Sequence, residues 1–197
     1  MEEQSLTYIK GQRVVIRSKR SDDAREDYSW RTDAELAELD AALPLRISYE
    51  DFLRFYADAE DTQYPLPWSQ RFGVDTLEGK HIGNCMYYDI DMNRGQTELG
   101  IMIGDRDYWS KGYGTEVVNA LVGHIFSTTS LKRIYLHTLE WNIRAQRCFT
   151  KCDFSPLRTV NRGGKNFLLM EQVRSTWEAR QAHNQSTGNP NENPAMP

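Results

Sequence analysis

The chain is short of cysteine, of long apolar runs and of any excess of positive charge, and each shortage excludes something. Its three cysteines, Cys85, Cys148 and Cys152, are odd in number and form no metal-binding pairs. They read as free thiols in a reducing cytoplasm, with no metal site and no disulfide framework. Cys148 and Cys152, with no histidine ligand pattern nearby, read as neighbours on one buried helix face. No stretch approaches the roughly 20 apolar residues needed to cross a bilayer. Met-Glu-Glu-Gln-Ser at the front lacks a basic start followed by an apolar run, so neither a membrane nor a secretory signal is expected. The formal net charge is −4, from 24 Lys and Arg against 28 Asp and Glu. That balance lacks the basic surface that binding a phosphate backbone requires, so nucleic acid is not expected as the main partner.

What remains is a globular composition, 39% hydrophobic and 26% charged in 197 residues, enough for one domain with its own core. The last fifteen residues, His183 to Pro197, hold three of the seven prolines and no Val, Ile, Leu or aromatic residue. Such a segment buries too little apolar surface to offset its ordering entropy. The expected organisation is a short arm over 1–7, a folded domain over 8–177 and a disordered polar tail over 178–197.

Arg13–Arg17 (Arg-Val-Val-Ile-Arg) reads as a first strand. Ser21–Asp40 is acidic and broadly helical, and Ser48 with Asp51 fits the capping box of a second helix. Tyr64–Trp68, Tyr-Pro-Leu-Pro-Trp, reads as an aromatic loop because its prolines suit neither a helix nor a central strand. Three strands follow, Gln70–Asp75, His81–Asp91 and Thr97–Ile103, with turns at Gly79 and Gly95, as an antiparallel meander. Val117, Val118, Leu121, Val122, Ile125 and Phe126 then recur at helical period. A strand over Arg133–Leu139 comes next, then a helix capped by Asn142 and carrying Ala145, Cys148, Phe149 and Cys152. Strands at Leu157–Asn161 and Asn166–Val173 close the chain. The order β-α-α-β-β-β-α-β-α-β-β implies an α/β fold, a mixed and mostly antiparallel sheet with helices on both faces.

The segment richest in chemistry is Tyr108-Trp109-Ser110-Lys111-Gly112-Tyr113-Gly114-Thr115-Glu116, which joins a strand end to an amphipathic helix. Gly112 and Gly114 let the backbone turn sharply with no Cβ in the way of a ligand. The helix N–H groups that follow have no internal partner and sit at the positive end of the dipole, a site for a pyrophosphate. A P-loop would need Gly-Lys followed by Ser or Thr, and a dinucleotide fingerprint would need a glycine where Val117 stands. Gly-x-Gly by itself also fits an ordinary strand-to-helix turn.

Glu98-Leu-Gly-Ile-Met-Ile103, then Trp109-Ser-Lys-Gly-Tyr-Gly-Thr-Glu116, then Asn142-Ile-Arg-Ala145 together resemble the GNAT superfamily of acetyl-CoA-dependent N-acetyltransferases. Arg13–Arg17 and the Trp-x-Lys-Gly-Tyr-Gly form are similar to its Rim-type branch, which includes ribosomal-protein N-terminal acetyltransferases and relatives acting on small amines. The resemblance runs from about Lys10 to Val173. It implies that the backbone of Ile101, Met102 and Ile103 pairs with the pantetheine arm of acetyl-CoA, on a strand that carries a bulge and splays from its neighbour. It further implies that Trp109, Ser110, Lys111, Gly112, Tyr113, Gly114 and Thr115 surround the pyrophosphate, and that Asn142 bonds the pantetheine with Phe149 beside the cofactor. Asn142 also serves as a plain helix cap.

Acetyl transfer requires a neutral amine, and a general base helps because amines are mostly protonated at neutral pH. Backbone N–H donors on the splayed strand would stabilise the developing oxyanion. Glu98 is the candidate base; it shares a strand face with Gly100 and Met102, opposite Leu99, Ile101 and Ile103. The plainer reading is a solvent-facing glutamate. Glu116 is explained by the helix dipole it follows.

Phe149 departs from the family, many of whose members carry a tyrosine there as general acid. Tyr108 and Tyr113 are weaker candidates for that role. Asp153 replaces a family glycine in Lys151-Cys152-Asp153-Phe154, where Asp tolerates left-handed geometry. Lys111 and Lys151 stand near the expected phosphates but equally suit a solvated surface. Glu35, Glu38 and Asp40 offer an attractive face to a cationic amine, or simply a solvated one. Trp30 and Trp68 are expected in the core, with walls of the acceptor cleft as the other reading, and His81, His124 and His137 are expected as structural histidines. The expected partner is an amine acceptor, a protein N-terminus or a small molecule. Whether the chain is a monomer or a homodimer is not legible. A non-catalytic acyl-CoA-binding module is the alternative that Phe149 and Asp153 leave open, and a nucleotide-binding protein is the third.

Overall fold

The computed structural model describes residues 8–60 and 67–187. Five strands, β1 (Tyr8–Lys10), β2 (Val14–Ser18), β3 (Ser69–Thr76), β4 (His81–Asp91) and β5 (Gln96–Ile103), pair antiparallel, each with the next. β5 then pairs parallel with β6 (Arg133–Leu139). β8 (Lys165–Val173) lies antiparallel between β6 and β7 (Ser155–Arg162). The sheet order is β1-β2-β3-β4-β5-β6-β8-β7, the mixed and mostly antiparallel sheet that the element order implies.

Strand alternation sorts the side chains onto two faces. Val14, Ile16, Phe72, Val74, Cys85, Leu99, Ile134 and Leu136 meet the apolar stripe of α4 (Tyr113–Thr128), built from Val117, Val118, Leu121, Val122, Ile125 and Phe126. Each such side chain contributes about 1.5–3 kcal/mol on burial, so this face holds the sheet together. Arg17, Asp75, His81 and Asn84 point the other way, towards α1 (Ala24–Thr32). There Arg17, only 2% exposed, makes paired hydrogen bonds to Asp23 and Asp75. Asp27 takes hydrogen bonds from Lys19 and Asn84.

The broad helix expected over Ser21–Asp40 is broken in two. Asp33 ends α1 with an extended backbone (φ −73°, ψ 124°) and its Oδ1 accepts the Leu36 N–H at 3.0 Å, capping α2 (Ala34–Leu39). Ser48 caps α3 (Tyr49–Glu60) as expected, its Oγ accepting the Asp51 N–H at 3.1 Å. α5 (Ile143–Lys151) follows Asn142, and Asp153 beyond it holds a left-handed φ of 63°.

Two elements lie beyond the sequence reading: β1, and α6 (Arg174–Thr187). Residues 178–187 are therefore helical rather than tail. The anchor is at the helix start, where Trp177 packs on Phe126 with ring centroids 5.6 Å apart. Arg174 donates to the carbonyls of Phe126, Thr129 and Leu131, closing the end of α4. With the first turn fixed, Glu178, Ala179, Arg180 and Gln181 extend it as good helix formers, with Glu178 paired to Arg174 and Arg180 to Asp153. The rest of the expected tail (188–197), the arm (1–7) and the 61–66 part of the aromatic loop lie outside the described residues. Among the described residues, no helix is long and apolar enough to cross a membrane.

Candidate active site

β5 and β6 stay paired only at Gln96–Arg133, Thr97–Ile134 and Glu98–Tyr135. Beyond Glu98 they part, opening the expected slot. The expected bulge is on the neighbouring strand: two residues of β4, Asp89 and Ile90, lie opposite Thr97 alone, with Asp89 at φ 50°. Gly95 O accepts from Lys132 N and Arg133 N and so faces β6. Backbone groups alternate along a regular strand, so Ile101 and Ile103 turn towards the slot and Met102 turns its backbone to β4. Of the three residues expected to pair with a pantetheine arm, Met102 is thus aimed the wrong way. The Ile103 carbonyl is already engaged, accepting from Trp109 Nε1 at 2.6 Å.

Ser110 (φ 57°) and Gly112 (φ 87°) both take left-handed backbone in the turn that leads into α4. The first backbone bond of α4 runs from Glu116 N to Gly112 O. The amides of Tyr113, Gly114 and Thr115 precede it and have no acceptor within the helix. Gly114 is not demanded by the fold: a methyl there would meet Cys148 Sγ at 3.5 Å and Ile103 at 3.9 Å, ordinary contacts. Bare backbone where the protein has room for a side chain fits a diphosphate lying against it. Glu116, expected only to complement the dipole, accepts from the backbone N–H of Arg13 at 2.6 Å and from Arg13 Nε at 2.9 Å.

Glu98 stands where the slot begins and is buried, at 4% exposure, not solvent-facing. His137 Nδ1 lies 2.7 Å from Glu98 Oε1, and Arg162 Nη1 lies 3.9 Å from the same oxygen. Burial pushes the Tyr88 phenol up, and the charge of Glu98 and a hydrogen bond to it push it further. Burial and then the Glu98 charge raise Tyr135 as well. The Glu98 carboxyl is thus enclosed by the His137 imidazole and by the phenols of Tyr88 and Tyr135. The sequence reading missed His137 in this role. The signal was the parallel register, since Glu98 beside Tyr135 brings His137, two residues on, to the same face.

Asn142 Oδ1 accepts the Ala145 N–H at 3.1 Å, which is the helix-cap reading, and leaves Nδ2 to bond elsewhere. Phe149 is buried in the core with its ring edge-on to Phe154. Arg144 stacks on Trp109, its Cζ 3.6 Å from the ring centroid. Cys148 sits under the glycine turn, where a hydrogen bond with Cys152, opposed by burial, lowers its thiol to about 7. Tyr113 lies edge-on to Tyr108, which faces Lys80. Lys111 and Lys151 are exposed.

On the acceptor side, Lys165 Nζ donates to Ala41 O at 2.9 Å, joining the β7–β8 turn to the loop after α2. Trp30 is buried against Gly104, where any Cβ would run into its ring. Trp68, expected in the core, is exposed, in the turn just before β3. Glu35 is paired with Arg106 at 2.7 Å. His81 belongs to the charge cluster beneath α1, between Asp27 and Asp75. His124 packs on Phe72 and Tyr87, and burial lowers its pKa.

A sheet split beside a glycine turn at a helix start, with a buried carboxylate at the fork, defines an acyl-CoA-dependent N-acyltransferase. The family model described as an acetyltransferase (GNAT) domain matches residues 13–155, and the chain belongs to that family, whose co-substrate is acetyl-CoA. A probable spermine N(1)-acetyltransferase of Bacillus subtilis subsp. natto is 29% identical over 119 residues, 58% of this chain and 75% of that one. An aminoglycoside N(6')-acetyltransferase type 1 of Klebsiella pneumoniae is 27% identical over 116 residues, 53% of this chain and 57% of that one. The fold is shared with a spermidine N-acetyltransferase from Vibrio cholerae crystallised with CoA and spermine, with a TM-score of 0.72 at 19% identity over 84% of this chain and 98% of that one. These relatives are named for small amines, so membership is established for the family and not for the Rim-type branch.

Proposed function

We propose that this enzyme acetylates a primary amine on a small polycationic molecule, of the polyamine or aminoglycoside class, with Glu98 as general base. The observation that carries the reading is the Glu98 carboxylate, buried where β5 and β6 part and hydrogen-bonded to His137. Of the two acceptors that the Rim-type resemblance left open, a protein N-terminus and a small amine, the names of the relatives support the small amine. Three unpaired thiols suit a reducing cytoplasm.

Acetyl-CoA supplies the activated acetyl group. The slot-facing backbone of Ile101 and the N–H of Ile103 pair with its pantetheine arm, and Asn142 Nδ2 adds a side-chain donor. Amides over Lys111–Thr115 take the diphosphate, and Trp109 braces the turn by holding the Ile103 carbonyl. Glu98 removes a proton from the acceptor nitrogen as that nitrogen attacks the thioester carbon and the carbon–sulfur bond breaks. His137 holds the carboxylate in place. Phe149 has no proton to give, and the thiol, with a pKa near 8.5, leaves as a thiolate unaided.

The test is turnover with acetyl-CoA against spermidine, spermine, kanamycin and N-terminal peptides, in the wild type and in Glu98→Gln. The reading expects the polycationic small amines to be acetylated and Glu98→Gln to lose that turnover while still binding CoA. Preference for the peptides would overturn the acceptor class. An undiminished Glu98→Gln would overturn the base.

A further inference from the structure

Arg13, the first residue of the Arg-Val-Val-Ile-Arg strand motif, is bound to the glycine turn although a hundred residues separate them. Its Nη1 donates to Lys111 O at 2.9 Å and its Nε to Glu116 Oε2 at 2.9 Å. Its guanidinium lies over the Tyr113 ring, 4.7 Å from the centroid. A Cβ on Gly112 would stand 3.1 Å from Arg13 Nη2. Glu116 is held in turn: its Oε1 accepts from the N–H of Arg13 at 2.6 Å and of Val14 at 3.3 Å. Gly11 makes room, since a Cβ there would meet Glu116 Oε1 at 2.5 Å. The guanidinium therefore has a fixed direction, set by a carboxylate on the first turn of α4 and a carbonyl in the turn before it.

A trans peptide is planar, so its carbonyl and the N–H of the next residue point in opposite directions. No cis peptide occurs among the described residues. Capturing Lys111 O therefore turns the Gly112 N–H away from Arg13 and locks Gly112 in its left-handed state. Lacking that tie, the Lys111–Gly112 peptide is free to flip, because glycine accepts either sign of φ at little cost. The amides that follow would then lose their common direction.

We infer that the Arg13–Glu116 pair is a positioning device for acetyl-CoA: it clamps the Lys111–Gly112 peptide so that the turn presents its N–H groups, already oriented, to the diphosphate. The inference rests on the placement of the diphosphate at this turn. Arg13 does not itself need to touch the ligand. Orienting donors before binding removes an ordering cost that binding otherwise carries. A lysine provides the charge but not the two directed bonds of the planar fork.

Calorimetric titration with CoA, dephospho-CoA and pantetheine tests this in the wild type, Arg13→Gln and Arg13→Lys. Dephospho-CoA keeps the diphosphate and pantetheine lacks it. Arg13→Gln is expected to weaken CoA and dephospho-CoA alike by about tenfold or more and to leave pantetheine unchanged, and Arg13→Lys to recover less than half of the loss. Full recovery by Arg13→Lys would mean a simple charge contact and overturn the clamp. So would a loss confined to CoA, which would point to its 3'-phosphate, or an equal loss for pantetheine, which would mark a merely structural tie. A wild type that binds CoA no more tightly than pantetheine would overturn the diphosphate site itself, which is a separate failure.

Discussion

Glu98 Oε1 and His137 Nδ1 lie 2.7 Å apart across two strands that part immediately beyond Glu98. Their side chains are 6% and 7% exposed, so the pair sits in the fork of the sheet, shielded from water. A buried carboxylate without a partner is costly, and His137 provides one.

Glu98→Gln should lower kcat/KM by about 10²–10⁴, the usual share of a general base. The loss should be larger for an acceptor amine near pKa 10.4 than for an α-amino group near 7.7–8.0, which is already partly neutral. His137→Phe should also slow turnover, and the double variant should be no slower than Glu98→Gln alone if the two act as a unit. Steady-state kinetics on the four proteins checks this; additive losses would separate the two residues.

Gly114→Ala should stabilise the free protein by up to about 0.5–1 kcal/mol, the helix preference of alanine over glycine, because the added methyl meets only ordinary contacts. The same methyl should weaken CoA about tenfold by holding the diphosphate off its donors. Thermal melting with and without CoA reads both effects. A variant that is more stable and still binds CoA normally would remove Gly114 from the site.

Acid should unfold the protein through the charge cluster beneath α1. Burial by itself would raise the Asp27 carboxyl, but hydrogen bonds from His81 and Asn84 and the charge of Lys19 hold it well below the usual range. Asp23 is lowered too, burial again being outweighed, here first by Arg17. A depressed folded pKa gives stability that is full above the unfolded value of about 3.9 and is lost as pH falls through the folded one. Asp27→Asn should destabilise the fold at neutral pH by removing the nearer of the two carboxylates that Lys19 meets, Asp27 at 2.6 Å and Asp23 at 3.3 Å. It should also flatten the acid slope below about pH 4. Urea unfolding across pH decides it; an unchanged slope would refute the assignment.

Cys148 should react with iodoacetamide before the other two thiols at neutral pH. The hydrogen bond with Cys152 lowers Cys148 to about 7 and raises Cys152, while burial raises Cys85. Saturating CoA should slow the reaction, since Cys148 lies 3.5 Å from the Cβ position of Gly114. Peptide mapping by mass shows the order, and first reaction at Cys85 would contradict it.

Local rules account for much of what the sequence made legible. Helical period located α4, and a Ser48 oxygen and an Asn142 oxygen opened α3 and α5, because caps and stripes depend on neighbours within a turn or two. The glycine turn was legible because a backbone that must change direction abruptly leaves Gly112 no substitute. α6 was not, because its anchor, Trp177 against Phe126, is a contact across the fold.

Sequence pattern alone was enough for the order of strands and helices from β2 to β8, apart from the break at Asp33, for the turn before α4 and for the face on which Glu98 lies, all consequences of backbone periodicity and of glycine's missing side chain. Only the tertiary structure decided which residue meets Glu98, which backbone groups of β5 face the slot, and that Arg13 reaches the glycine turn. Those depend on strand register and on pairings between distant segments. A shift of one residue in that register would turn His137 to the opposite face with no change in any local pattern.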